Sequence, residues 1–247
     1  AVLNGLDLSH ADLSGSLFSA CQANNANLSS IKGKGLLISR SELNGANLSS
    51  ADLSHGTIHK SHLKGAEIGG AKFNGALINN TNMDGVKTFQ QSNVSFDGAM
   101  LFKCSLKSAI LDNAYLRFSR IIKTDLDKAH FVLPKFHKSL IDDCSVNGFN
   151  LDGAFGSHIK IKRTDIKDIQ ISGADNLQSV EVDNFVYGES KNLTKIVNDN
   201  WVSIPHIDSS AAKLEMLEAI KAKNQFEINR LCVDIPRPGK QFDMSDS

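Results

Sequence analysis

Residues 41–55 read SELNG, ANLSS, ADLSH: three consecutive five-residue words, each with leucine in third place (Leu43, Leu48, Leu53) and a small residue, Ser41, Ala46 or Ala51, two positions earlier. Followed toward the N-terminus, the third position continues as Leu3, Leu8, Leu13, Phe18, Ala23, Leu28, Gly33 and Ile38. Toward the C-terminus it runs through Ile58, Leu63, Ile68, Phe73, Ile78 and Met83. Of these seventeen positions, Ala23 and Gly33 alone are not large and apolar. The position two before favours small side chains throughout, as at Ala1, Ala11, Ser16, Cys21, Ala26, Ser61, Ala66, Ala71 and Ala76. A helix repeats every 3.6 residues and a strand every two, so a period of five belongs to neither and marks an internal structural repeat.

The period slips once. It resumes at Phe96 and continues through Leu101, Leu106, Leu111, Leu116, Ile121, Leu126, Phe131, Phe136, Ile141, Val146, Leu151, Gly156, Ile161, Ile166 and Ile171. Met83 to Phe96 is thirteen residues where ten would keep phase, which predicts a bulge of three extra residues within Val86 to Asn93. Composition agrees with a core built from regularity. Aromatic residues make up only 6% of the chain, and Ala, Ser, Asn and Gly crowd its first half.

ADLSG at 11–15, ANLSS at 46–50 and ADLSH at 51–55 resemble the consensus of the pentapeptide-repeat family, and the resemblance extends over about residues 1–175. It implies an all-β fold, a right-handed quadrilateral β-helix in which four pentapeptides form one square coil, with the third residue and the small one two before it both facing inward. About eight coils are then expected over 1–182. Coils at strand spacing of about 4.8 Å would make a rod roughly 40 Å long.

After Ala174 the rhythm fades through NLQSVEVDNFVYG, read as closing strands, and residues 183–247 are expected to form a C-terminal helical cap or linker segment. Asp208, Ser209 and Ser210 offer N-caps to an amphipathic helix over 211–233, with Leu214, Leu217, Ile220, Ile228 and Leu231 on one side. Such a helix would cover the open apolar end of a solenoid, join two copies into a homodimer or lead into another domain. The repeat is already running at residue 1, so the chain is read as a fragment of a longer one.

Chemistry-bearing motifs are scarce. Cys21, Cys104, Cys144 and Cys232 are far apart, and Cys104 and Cys144 would sit two coils apart in one inward column, about 9.6 Å by strand spacing and beyond disulfide reach. The eight histidines do not line up in adjacent coils, and His59 and His62 lack a third ligand. Asp142 and Asp143 do not make a convincing acid/base pair, and no nucleophile elbow, zinc-protease, phosphate-loop or dinucleotide pattern appears. Neither catalytic residue, cofactor nor metal is expected for this chain. Lys plus Arg equals Asp plus Glu at 27 each, so no net field draws nucleic acid. No apolar run approaches the roughly 20 residues that span a bilayer, and the chain is expected to be soluble.

Residues twenty apart stack in columns on a square coil. The outward residue just before Phe18, Ile38, Ile58, Ile78, Leu101, Ile121, Ile141 and Ile161 gives one row: Leu17, Leu37, Thr57, Leu77, Met100, Arg120, Leu140 and Lys160. Five of the eight are large and apolar, a composition that marks interaction surfaces. A second column, Tyr115, Lys135 and Phe155, mixes aromatics with a cation, and Arg117, Phe118, His137, Lys138 and His158 flank it. The partner-binding candidates are therefore Leu17, Leu37, Leu77, Met100, Leu140, Tyr115, Lys135 and Phe155. The same resemblance extends to effectors that enteric bacteria inject into host cells through type III secretion, some with this solenoid ahead of a HECT-like ubiquitin ligase domain. It implies a non-catalytic recognition or positioning module for a host or bacterial protein, working in the bacterial cytoplasm or secreted into the host. Other family members mimic DNA to shield gyrase, which requires an acidic rod. Residues 1–182 carry 17 acidic and 19 basic residues, which opposes that reading.

Overall fold

The computed structural model describes residues 1–89 and 92–164, together with the backbone of 177–178, 180–183 and 201–202. The helix expected over 211–233 lies outside the described residues. One parallel sheet runs the length of the described structure, and a shorter one covers the C-terminal half of a neighbouring face. The long sheet contains β1 (Leu17–Ser19), β2 (Leu37–Ser39), β3 (Thr57–His59), β4 (Leu77–Asn79) and β5 (Met100–Phe102). It continues through β7 (Arg120–Ile122), β9 (Leu140–Asp142), β11 (Lys160–Lys162), β13 (Val180–Asp183) and β14 (Trp201–Val202). The shorter sheet has the order β12 (Leu177–Gln178), β10 (Phe155–Ser157), β8 (Lys135–His137), β6 (Tyr115–Arg117). The two remaining faces are held by isolated parallel bridges, such as Val2↔Gln22↔Glu42↔His62 on the first face and Asp7↔Asn27↔Asn47↔Glu67 on the second. This is the expected all-β right-handed solenoid. Eight rungs from Phe18 to Ile161 enclose seven complete turns. β12 and β13, within the fading stretch, add to β10 and β11 as further parallel strands.

The corner explains the five-residue period. Every fifth residue from Gly5 to Gly85, and again from Gly98 to Arg163, is left-handed, with φ between 46° and 72°. A left-handed residue costs an L side chain about 1–2 kcal/mol and suits Gly, Asn or Asp best. No β-branched residue stands at any of these corners, whereas Gly, Asn, Ser, His and Lys recur. Most of these corners turn their N–H to the next coil, as from Gly5 to Asn24 O (2.9 Å) and from His10 to Ser29 O (3.0 Å). The faces between corners do likewise: Glu42 N donates to Cys21 O (2.9 Å) and Leu43 N to His62 O (2.7 Å).

Inside, the third-position residues stack. Phe73 and Phe96 lie ring on ring, centroids 5.0 Å apart, while the third-position Phe131 meets Phe149, a large residue at the usually small position two before Leu151, edge to face at 5.0 Å. The exception at Gly33 has a local cause. A Cβ there would come within 3.0 Å of Leu53 Cδ2 and 3.5 Å of Ile31 Cδ1, so the large buried Ile31 two positions earlier takes the space the third-position side chain gives up.

The corner after the long sheet is chemically distinct. Its inward column is Cys21, Ser41, Ser61, Thr81, Cys104, Thr124, Cys144 and Thr164. At ordinary corners the N–H three residues on closes a turn onto the third-position carbonyl, as from Ala46 to Leu43 O (3.1 Å). At this corner hydroxyls and thiols perform that role. Ser41 Oγ donates to Ser39 O (3.0 Å) and lies 3.1 Å from Phe18 O, while Cys21 N donates to Ser41 Oγ (3.1 Å) and Ser41 N to Ser61 Oγ (3.1 Å). The cysteines are members of this ladder: Cys104 Sγ lies 3.4 Å from Ile78 O, and Cys144 Sγ lies 3.5 Å from Ile121 O.

The bulge falls where the period slips. Lys87 still pairs with Ile110 in the second-face column, and Ser95 pairs with Lys72 and Tyr115 in the third-face column, so eight residues replace the usual five. Glu67 fastens it: its Oε1 accepts the N–H groups of Gly69 (3.2 Å) and Phe89 (3.1 Å).

Two substitutions test this packing. A Cβ at Gly156, where φ is 144°, would lie 1.8 Å from Phe136 O. Gly156→Ala is therefore expected to destabilise by about 3 kcal/mol, against about 1 kcal/mol for Gly5→Ala, whose Cβ meets nothing within 4 Å. Thr124→Val removes the hydroxyl that takes the Cys104 N–H (3.4 Å) and donates to Ile122 O (3.0 Å). It should cost about 2 kcal/mol, read in each case by chemical denaturation.

Candidate partner-binding faces

Strand register brings the apolar row together as a continuous column on the long sheet. Leu17 pairs with Leu37, then Thr57, Leu77, Met100, Arg120, Leu140 and Lys160, one residue per rung across the bulge. Alternation along each three-residue strand buries the central residue and turns its neighbours out. Leu17, Leu37 and Leu77 are consequently 60%, 38% and 37% exposed, while Met100 and Leu140 are half-buried. Arg120 and Lys160 interrupt the stripe in its C-terminal half.

The second group assembles on the third face. Tyr115, Lys135 and Phe155 are register partners in β6, β8 and β10, with Arg117, His137 and Ser157 forming the parallel column beside them. The Lys135 ammonium donates to Tyr115 Oη (3.2 Å) and lies 4.4 Å from the ring centroid, and the Arg117 guanidinium is 5.4 Å from the same ring. Phe118 meets His137 edge to face at 5.2 Å, and His137 meets His158 at 5.9 Å. The hydrogen bond from Lys135, helped by the Asn93 amide, holds the Tyr115 phenol below the ordinary tyrosine range. Arg117 is engaged by Asp97 of the preceding rung.

The other polar side chains are spent on the fold. His59 Nδ1 meets Asn79 Oδ1, and His62 Nδ1 meets Glu42 at 3.1 Å on a different face. Asp142 is tied to Arg163, and Asp143 lies 3.9 Å from Lys123. Cys104 and Cys144 are free thiols, and burial pushes each up to about 11, which leaves no reactive thiolate near neutrality. Beside the bulge lies an open hollow of about 550 Å³ lined by Asn47, Ser49, Ser50, Glu67, Gly69, Phe89 and Ser92. Its one carboxylate already holds the bulge backbone, and Glu67 Oε2 is shut away from solvent. Among the described residues no group of three His, Cys, Asp or Glu side chains is arranged to hold a metal. No helix among them is long and apolar enough to cross a membrane.

These features define a class, a parallel β-solenoid whose described residues stack in outward columns along its faces. Residues 1–32 and 41–80 match the family described as Pentapeptide repeats, in eight copies, and the described chain is a pentapeptide-repeat solenoid. Among solved structures, a trypsin-treated form of QnrB1, a plasmid-mediated fluoroquinolone resistance protein, superposes with a TM-score of 0.59 at 17% identity, covering 74% of this chain and 90% of that one. Full-length QnrB1 gives 0.50 at 15% identity over 79% and 94%. HetL, a pentapeptide repeat protein involved in heterocyst differentiation regulation from the cyanobacterium Nostoc sp., gives 0.26 at 17% identity over 74% and 91%. At these identities the QnrB1 likeness is one of fold. No curated protein sequence matches the chain.

The Tyr115 contact is directly measurable. Lys135→Met removes the ammonium that favours the phenolate, so alkaline titration of tyrosine absorbance should show one of the two tyrosines of the chain shifting upward. An unchanged titration would mean that Lys135 does not rest on Tyr115 in solution.

Proposed function

We propose that this chain is a non-catalytic protein-interaction module whose partner lies along the apolar column of the long sheet. The observation that carries the reading is the uninterrupted run of register partners from Leu17 to Leu140, which puts five large apolar side chains in line on one face. A flat row of this kind offers burial to a complementary surface at little conformational cost, because the strands beneath it are already ordered. Pentapeptide-repeat proteins are generally non-catalytic scaffolds, in keeping with this reading. In its narrower form, the module is the recognition or positioning part of a larger bacterial effector delivered into host cells, with any ubiquitin-ligase activity residing in the longer parent. Support for that form comes from the sequence: Asn/Ser-rich repeats followed by strands, the tryptophan segment DNWVSIPHID at 199–208 and a helical pattern where another domain would begin.

The fold likeness to QnrB1, named as a fluoroquinolone resistance protein, raises a second reading, a gyrase-directed DNA mimic. The charge of the rod opposes it, since mimicry of duplex phosphates calls for a strong acidic excess and residues 1–182 are slightly basic. Purified chain is accordingly expected to leave gyrase supercoiling unaffected; inhibition or drug protection would favour the second reading.

The first reading is tested with immobilised chain as bait in host-cell and bacterial lysates, with captured proteins identified by mass spectrometry. Leu37→Asp and Leu77→Asp, outward on intact strands, should keep the β-rich circular dichroism spectrum and thermal melt while capture of a specific protein is lost. Capture unchanged by both substitutions removes the column from the account. Enrichment from host but not bacterial lysate is the result the effector form requires.

A further inference from the structure

We propose that the edge between the third face and the long sheet, over the three rungs of Tyr115, Lys135 and Phe155, docks an acidic extended segment of a partner protein. Three lines of observation converge there. The first is charge. The outward positions from Tyr115 to Arg120 and those stacked on them one and two coils later hold five Lys or Arg, two His and three aromatic residues, and no Asp or Glu. The carboxylates of the same coils stand elsewhere. Asp112, Asp125, Asp127 and Asp152 lie on the first two faces, while Asp142 and Asp143, on the far side of the long sheet, are matched by Arg163 and Lys123. Asp97, one coil earlier, pairs with Arg117, and Lys160 is the register partner of Glu181, so the excess positive charge of this edge rests on Arg120, Lys135 and Lys138.

The second line is apolar surface set among the cations. Phe118 and Phe155 are 55% and 56% exposed, and Phe118 sits at a left-handed corner (φ 59°), a backbone position that bulky residues rarely take. Aromatic anchors flanked by cations are the composition of protein-recognition hot spots. The third is order before binding. Phe118, His137 and His158 form a chain of edge-to-face contacts, and Lys135 and Arg117 rest on Tyr115, so these side chains have already lost much of the freedom that association would otherwise cost.

The same contacts favour an acidic peptide over single-stranded nucleic acid. Nucleic-acid platforms present a row of open ring faces to successive bases. Here the Tyr115 ring is occupied by Lys135 and Arg117, and Phe118 is engaged by His137, so two of the three rings already carry a partner. Carboxylates can meet Lys135, Lys138 and Arg120, while apolar side chains between them contact Phe118 and Phe155. Arg120 shares the long-sheet column, but the site does not use Leu17, Leu37 or Leu77 and stands or falls independently of a partner on those residues.

Fluorescence anisotropy of the full chain provides the test, with three labelled probes of equal length: a glutamate peptide interrupted by two tryptophans, its glutamine counterpart and an oligothymidylate. The glutamate peptide is expected to bind at least about tenfold more tightly than either other probe, with affinity falling as salt rises. Lys135→Glu, Lys138→Glu and Arg120→Glu combined should weaken it at least about tenfold, whereas Lys32→Glu with Lys72→Glu, on the same face in the N-terminal half, should not. If the triple variant does not fold, Lys138→Ala alone must reduce affinity. Equal binding of the glutamine peptide, tighter binding of the oligothymidylate, or indifference to substitution in a folded variant would overturn the proposal.

Discussion

The left-handed corner is the constraint on which this structure rests. One residue in five turns the chain from one face of the coil onto the next, and its N–H is commonly handed to the next coil rather than to its own turn. Each such residue is unfavourable by itself unless it is glycine or a short polar residue. What holds it is the pair of backbone ladders on either side and the burial of a large side chain two residues earlier. Corners therefore impose the rhythm, and inward side chains follow it. Where a corner follows a long-sheet strand, the usual turn hydrogen bond is absent and a Ser, Thr or Cys side chain takes its place, giving that edge a polar seam; buried Ser119 and Ser139 bond the Leu116 carbonyl at the corner of the shorter sheet.

Among the described residues the outer surface is organised in columns, and the hollow beside the bulge is lined by a carboxylate that already holds backbone. Register makes columns reliable: a side chain placed outward on one rung finds its neighbour one coil away, and the bulge between Lys87 and Ser95 absorbs three residues without breaking the row from Leu77 to Met100. Two faces exploit this differently. The long sheet lines up leucines, which offer burial. The third face, in its C-terminal half, lines up cations and rings, which offer charge complementarity and pre-ordered contacts. The polar groups that might suggest chemistry are consumed by the scaffold, as Glu67 is by the bulge backbone and Asp142 is by Arg163.

Much of this was legible in the sequence because period five survives any local substitution. The inward positions, the place of the slip and both outward columns follow from counting alone. Four features did not follow. The exchange of bulk between Gly33 and Ile31 reads as a defect until their side chains are seen to share one space. The seam of Ser41, Ser61, Thr81, Thr124 and Thr164 does not stand out among the small residues of its position, since which corner loses its turn hydrogen bond is a matter of backbone geometry. Cys104 and Cys144 were readable as small buried residues but not as members of that seam. Ring contacts among Phe118, His137 and His158 depend on side-chain directions that spacing does not specify.

Peptide-resolved hydrogen exchange on the full chain tests most directly whether one continuous ladder carries these columns. The account predicts strong protection on both sides of the bulge, from the coil of Gln22 to that of Ser145, with faster exchange confined to the three-residue insertion. Rapid exchange across residues 100–160, or a boundary at the bulge beyond which protection is lost, would contradict a single rod and with it the alignment of both faces.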